Sequence, residues 1–203
     1  MAEGRSSGWR VIGSEIVIET PHLRLRRDQI ELPDGHRVDS YFVRESRGFC
    51  VIFALTPDWR VPLVRQYKHG IGQSVLELPA GAIDSEESPA TCARRELAEE
   101  TGYAGDEPEH LASFAFDPTS SDTYFHVFLV RGAQPTQAQC LDPTEQIQVE
   151  LATLDELRRY VRDGTIRVGT HVAVVYYVLD RLGKLRGGQL SPPLQGDSAD
   201  AVD

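Results

Sequence analysis

The chain has only three cysteines, one methionine and two tryptophans among 203 residues, and its longest apolar run is VAVVYYVL at 172–179. That run is far shorter than the ~20 residues a helix needs to cross a bilayer, so no membrane partner is expected. Cys50, Cys92 and Cys140 are odd in number and show no CxxC spacing. A disulfide framework and a structural zinc site are therefore not expected, and a cytoplasmic location is. The first ten residues, MAEGRSSGWR, hold no apolar stretch and do not resemble a secretory signal. Basic excess is missing as well: 21 Lys/Arg face 31 Asp/Glu, for a net charge of −10. The first 80 residues carry 11 basic and 10 acidic side chains, so the acidity lies in the remainder. Such a surface argues against nucleic acid as a partner, which needs many phosphates neutralised. A single nucleotide held through a divalent cation stays compatible. The six histidines show no HxH or HxxxH spacing and read as structural or solvated.

What is present is ordered by short alternating bursts. VIGSEIVIET, LRLRRDQIEL and HRVDSYFVRE predict three strands of a small antiparallel sheet, the last two joined by the turn PDG at 33–35. CVIFAL (50–55), RVPLVRQYK (60–68), HLASFAF (110–116), TYFHVFLVR (123–131) and IQVELATL (147–154) predict further strands, and SVLELPAG (74–81) a strand ending in a Pro/Gly loop. Ser88 and Pro89 suit the cap and first turn of a helix, and Gly102 suits the residue just past its end. Two more helices are expected at 155–163 and about 170–183. The fold class is α+β, with domain limits at 9–48 for a β arm and 49–186 for the main domain. Residues 1–8 and 187–203, rich in Gly, Ser, Pro and Asp, are expected to be disordered.

Inside the first helix, Glu96, Glu99 and Glu100 share one face. Like charges four residues apart cost an exposed helix about 0.2–0.5 kcal/mol, and Glu100 also sits at the negative end of the helix dipole. Either the face is merely solvated, or a hard divalent cation relieves the repulsion. Spacing favours the cation. Gly81, five residues, Glu87, seven residues, then Arg95-Glu96-Leu97-Ala98-Glu99-Glu100-Thr101-Gly102-Tyr103 matches GX5EX7REUXEEXGU at every fixed position; only Tyr103 departs from the usual aliphatic residue.

The sequence thus resembles the Nudix hydrolases, which cleave a nucleoside diphosphate linked to another group. The resemblance implies a Nudix-type α/β/α sandwich with a mixed sheet behind the arm, and Mg²⁺ as cofactor with Mn²⁺ as a substitute. It implies the Ala80 carbonyl, Glu96 and Glu100 as metal ligands, joined by Glu99 when more than one ion binds. Gly81 and Gly102 serve the backbone. Arg95 orients carboxylates, and Glu87 pairs with an arginine rather than a metal. Beyond the box, from about Trp9 to Leu182, the chain looks like the ADP-ribose pyrophosphatase group, which carries such an arm. Pro118, 16 residues past Gly102, stands where that group has a proline, though a lone proline is also an ordinary turn former. Glu145 matches a mobile-loop glutamate and is the expected general base, with Glu99 as alternative; an exposed loop acid is the plain reading.

Hydrolysis of ADP-ribose to AMP and ribose 5-phosphate is the implied reaction. GDP-mannose or ADP-glucose as preferred substrate, or a non-catalytic ADP-ribose sensor, are the competing expectations. Lys68 and Arg65 are candidates for the diphosphate, or solvated strand-end bases. In the family the arm exchanges between two subunits, which implies a homodimer with Trp9 and Arg44 reaching the partner's site. Trp9 serves equally to staple the arm to the core. Glu77 either holds the terminal ribose, orients the metal loop, or is a buried, hydrogen-bonded strand acid.

Overall fold

A computed structural model describes residues 8–183. The expected disordered tail and all but Gly8 of the expected disordered N-terminus lie outside those residues. The alternating bursts at the start form β1 (Arg10–Thr20), β2 (Leu23–Glu31) and β3 (Arg37–Glu45), antiparallel and in that order. Gly35 turns β2 into β3 with φ 85°, a backbone shape that favours glycine. Every residue of β1 except Gly13 is exposed, including Val11, Ile16, Val17 and Ile18. This sheet therefore has almost no core of its own.

The main core is built around β4 (Phe49–Leu55), apolar throughout and buried from Cys50 onward, as expected of a central strand. It pairs in parallel with β10 (Tyr124–Arg131) and antiparallel with β7 (Ala80–Ala82), while β9 (Glu109–Ala115) closes the far edge. The resulting order, β7-β4-β10-β9, is a mixed sheet. A second sheet, β12-β5-β6, joins β5 (Arg60–Lys68), β6 (Gln73–Glu77) and β12 (Gln148–Thr153). The short strands β8 (Tyr103–Ala104) and β11 (Gln134–Pro135) pair beside the end of α1 (Pro89–Thr101).

Strand alternation divides β4 between two clusters. Cys50, Ile52 and Ala54 pack against Cys92, Ala93 and Leu97 of α1. Val51, Phe53 and Leu55 pack against the second sheet, α2 (Leu154–Arg162) and α3 (Gly169–Arg181). Helices thus cover both sides, the expected α/β/α sandwich. Truncating the fully buried Phe53 to alanine removes about 3–5 kcal/mol of this core.

The helix ends obey local chemistry. Ser88 Oγ accepts the Thr91 N–H at 3.1 Å, and Pro89 opens α1. Gly102 closes it with φ 75°, and a Cβ there would lie 2.3 Å from the Gln137 carbonyl oxygen. Glycine is thus required twice over. Thr153 and Glu156 form a reciprocal capping box on α2.

One expectation changes in form. Residues 74–81 read as a strand ending in a Pro/Gly loop, but past Glu77, where the chain leaves the second sheet, it enters the mixed sheet at Ala80 as a further strand. Pro79 lies at the crossing and has no N–H to continue a ladder. Among the described residues no helix is long and apolar enough to cross a membrane, and all three cysteines are free.

Candidate active site

Helix α1 turns two carboxylates inward over its last two turns. Glu96 and Glu100 are buried, Glu100 to 3% exposure, and Glu99 is half-buried beside them. Both buried acids abut the start of β7. Glu100 Oε2 accepts the Ala80 N–H at 2.9 Å. A Cβ on Gly81 would lie 2.0 Å from the Glu96 carboxyl carbon, so only glycine lets this carboxylate approach the turn. Leu97 and Ala93 of α1 are buried against β4 and hold the helix to the sheet.

Arg95 organises the remainder. Its guanidinium forks onto Glu87 at 3.0 and 2.9 Å, donates to Glu96 at 2.7 Å and Glu99 at 2.9 Å, and reaches the Ala82 carbonyl at 3.1 Å. This one cation ties the box loop to the acidic face. The Arg95 fork holds Glu87 below the usual carboxylate range. Burial pushes Glu96 upward, opposed by Arg95 and reinforced by Glu99 and Glu145. Burial also raises Glu100 to about 8, with the Ala80 N–H opposing and the Glu96 and Glu145 charges adding to it. Two carboxyls that resist ionisation in one place are poised to release protons to a positive ion.

Glu145 is therefore near enough to influence both buried acids, and its loop is tied to α1. Gln139 Nε2 donates to the Glu100 carbonyl at 2.6 Å and the Ile147 carbonyl at 3.3 Å, bridging the two ends of the segment. The Cys140 N–H adds a bond to the Glu99 carbonyl. Glu145 Oε2 accepts the Asp142 N–H within that loop at 2.9 Å.

On β5, Lys68 and Arg65 face opposite sides because they are three residues apart on a strand. Lys68 Nζ pairs with Glu77 at 3.1 Å, and Gln66 donates to the same carboxylate oxygen at 3.2 Å. Arg65 is held by both oxygens of Glu150 on β12. The structure thus brings Lys68, Glu77 and the carboxylates towards one region and leaves Arg65 on the other face. Glu77 is buried, and its second oxygen lies 3.3 Å from His171 Nε2. His171 Nδ1 in turn accepts the Leu78 N–H at 3.2 Å. Burial, and secondarily the Lys68 charge, depresses His171 to about 3, so it is neutral.

Sequence reasoning took His171, with the other histidines, as structural or solvated without singling it out, although a signal of its burial existed. It stands on the buried stripe 171, 174, 175, 178 and 179 of α3, where an apolar residue is expected. Gln139 carried no signal of any kind.

The arm meets the core at the turn carrying Pro118. The Arg44 N–H donates to the Ser120 carbonyl at 2.8 Å, and the Tyr41 hydroxyl to the Thr119 carbonyl. Pro118 and Arg44 are exposed. A cleft of about 890 Å³ runs from Thr20–Arg24 past Arg44 and Phe49 to Ala82 of the box turn. Trp9 is 54% exposed and meets the Tyr41 ring edge-on at 5.7 Å. It packs on its own arm.

These features match known proteins. A NUDIX domain model matches residues 44–177, and a model of the nucleoside diphosphate sugar hydrolase N-terminal domain matches residues 9–43. The chain belongs to the Nudix hydrolase family, enzymes that act on pyrophosphate bonds and depend as a class on divalent cations. It is 32% identical over 170 residues to the methanol dehydrogenase activator of Bacillus methanolicus, covering 83% of this chain and 91% of that one. It is 28% identical over 153 residues to the ADP-ribose pyrophosphatase of Bacillus subtilis strain 168, covering 75% and 82%. A crystal structure described as ADP compounds hydrolase superposes with a TM-score of 0.74 at 20% identity, over 87% and 96% of the two chains. That likeness shows the same fold.

The residues present fit such a cation. Among the described residues no three acidic, histidine or cysteine side chains stand grouped to hold an ion as they are, because Arg95 draws Glu96 and Glu99 to itself and Ala80 engages Glu100. The donor set is nevertheless all oxygen, buried and mutually repelling, and the missing Cβ of Gly81 gives the Glu96 carboxylate its place against the turn. Hard cations with oxygen ligands suit that chemistry.

Proposed function

We propose that this protein hydrolyses the diphosphate of ADP-ribose to AMP and ribose 5-phosphate with Mg²⁺, for which Mn²⁺ can substitute. The observation that carries the reading is the buried Glu96–Glu100 pair, set against the Ala80–Gly81 turn with Glu145 nearby. The nucleoside diphosphate sugar hydrolase match over the arm and the pyrophosphatase relative support the substrate.

Glu96, Glu100 and the Ala80 carbonyl would hold the cation, with Glu99 available to a second ion. When bound, the cation neutralises diphosphate oxygens and lowers the pKa of water. Glu145 takes the proton as a water oxygen attacks one phosphorus. The bond from that phosphorus to the bridging oxygen breaks, and the electron pair leaves with the departing phosphate. Lys68, paired with Glu77, contributes fixed positive charge to the diphosphate side. Arg95 holds Glu96, Glu99 and Glu87 in register and makes no substrate contact.

Residues 9–48 serve as a dimerisation arm and residues 49–186 as the catalytic domain. The two-sided exposure of β1 supports a homodimer, since Val11, Ile16, Val17 and Ile18 stay exposed among the described residues. Trp9 and Arg44 then contribute to the partner's cleft. The acidic, disulfide-free chain suits the cytoplasm.

A substrate panel scored by kcat/KM with Mg²⁺ tests the reading. ADP-ribose should exceed GDP-mannose and ADP-glucose by more than tenfold. GDP-mannose winning by that margin would replace the substrate. Tight ADP-ribose binding with Mg²⁺ and no AMP release would make the protein a sensor.

A further inference from the structure

The crossing from β6 to β7 poses a hydrogen-bonding problem. The β5–β6 ladder ends at the Val64 and Glu77 pair, and the β4–β7 ladder begins with Val51 and Ala80. Leu78 and Pro79 belong to neither. Pro79 has no N–H, and its carbonyl accepts from the Ile52 N–H at 2.9 Å. The Leu78 N–H would be an orphan donor at a residue with 0% exposure, an arrangement folded chains avoid because the lost bond to water is not replaced. His171 supplies the missing acceptor.

The contacts fix the imidazole. Nδ1 accepts from Leu78, so the proton must sit on Nε2, which faces Glu77 Oε1 at 3.3 Å. The other Glu77 oxygen is occupied by Lys68 and Gln66. A helix on the far side of the core therefore grips the backbone two residues before Ala80. The next backbone donor along, the Ala80 N–H, is gripped by Glu100. The Leu78–Ala80 segment is thus pinned from α3 at one end and from α1 at the other.

We propose that His171 is a positioning residue for the cation site: by accepting the Leu78 N–H it fixes the backbone that presents the Ala80 carbonyl and the Gly81 turn to Glu96 and Glu100. The inference rests on the cation reading given above. Groups that orient metal ligands without touching the metal commonly change affinity by about 10–100-fold, and His171 acts on a main-chain ligand in this way.

Two substitutions separate this role from general core packing. Asparagine places Oδ1 where His171 has Nδ1, so His171→Asn keeps the acceptor for Leu78 and loses Glu77. Glutamine places its amide near Nε2, so His171→Gln keeps the Glu77 contact and loses the acceptor. The full chain of each variant is titrated with Mg²⁺ by calorimetry without nucleotide, and Leu78 amide exchange is followed by NMR. His171→Asn should bind Mg²⁺ within about threefold of wild type with Leu78 protected. His171→Gln should bind about 10–100-fold more weakly, with faster Leu78 exchange and a thermal midpoint close to that of His171→Asn. Equal Mg²⁺ affinity in wild type and both variants would overturn the role of His171 and leave the cation reading intact. A wild-type protein that binds no Mg²⁺ would overturn both.

Discussion

Glu96 and Glu100 sit where burial and mutual repulsion oppose ionisation, and each is expected to be worth more to catalysis than to stability. Glu96→Gln or Glu100→Gln should lower kcat about 10²–10³-fold, the scale of losing one preorganised electrostatic contact. Without added cation, the thermal midpoint of either variant should stay level or rise, because a carboxyl that resists ionisation has been neutralised. Midpoints measured in chelator and kcat measured in Mg²⁺ check both halves. Gly81→Ala should share the catalytic loss. A Cβ there lies 2.0 Å from the Glu96 carboxyl carbon, and the flexible carboxylate must move away while the fold adapts. For Glu145→Gln, kcat should fall about 10²–10⁴-fold with KM little changed. An unaltered kcat would pass the base role to Glu99. The box residues were legible because their spacing is itself the signal. The strand period of β5 also held that Arg65 and Lys68 face apart, a reading the sequence permitted and resemblance obscured.

At the scale of elements, α1 could be bounded from sequence because Ser88, Pro89 and Gly102 act locally. The split of 74–81 into β6 and β7 could not, since sheet membership depends on partners far along the chain. His171 was hidden for the same reason: an imidazole on an apolar helix stripe gives no hint that a remote N–H awaits it. Its burial has a consequence in acid. Burial depresses the native imidazole to about 3, whereas an unfolded one titrates near the ordinary histidine value of 6.5. Below about pH 6.5 the unfolded chain gains a proton the native chain refuses, so stability is lost as pH falls from there towards 3. His171→Asn should lack that component. Its midpoint deficit against wild type should shrink between pH 7 and pH 4.5 in parallel thermal scans; a constant deficit would contradict the buried neutral form. Arg95→Ala should cost about 2–4 kcal/mol in denaturant unfolding, because it strands the nearly buried Glu87 and releases Glu96 and Glu99 together.

For the whole molecule, the arm is the part whose purpose the chain alone leaves open. Alternation made its three strands visible, but only the packed structure shows that β1 is exposed on both faces. A two-faced apolar strand is unstable company for water, and the proposed second copy would cover it. Ile16→Asp with Ile18→Asp should convert a dimer to a monomer in light scattering, with the core still folded by near-ultraviolet dichroism. A wild-type monomer at micromolar concentration would contradict the arm's proposed role. The central claim is narrower: a buried acidic pair at the end of α1 enables cation-dependent cleavage of ADP-ribose. Phosphorus NMR of ADP-ribose with the wild-type enzyme tests it most directly. With Mg²⁺ the diphosphate signals should give way to two phosphomonoester signals of equal intensity, and with chelator or with Glu100→Gln they should persist. Diphosphate signals that survive saturating Mg²⁺, or that vanish equally fast in chelator, would contradict the account.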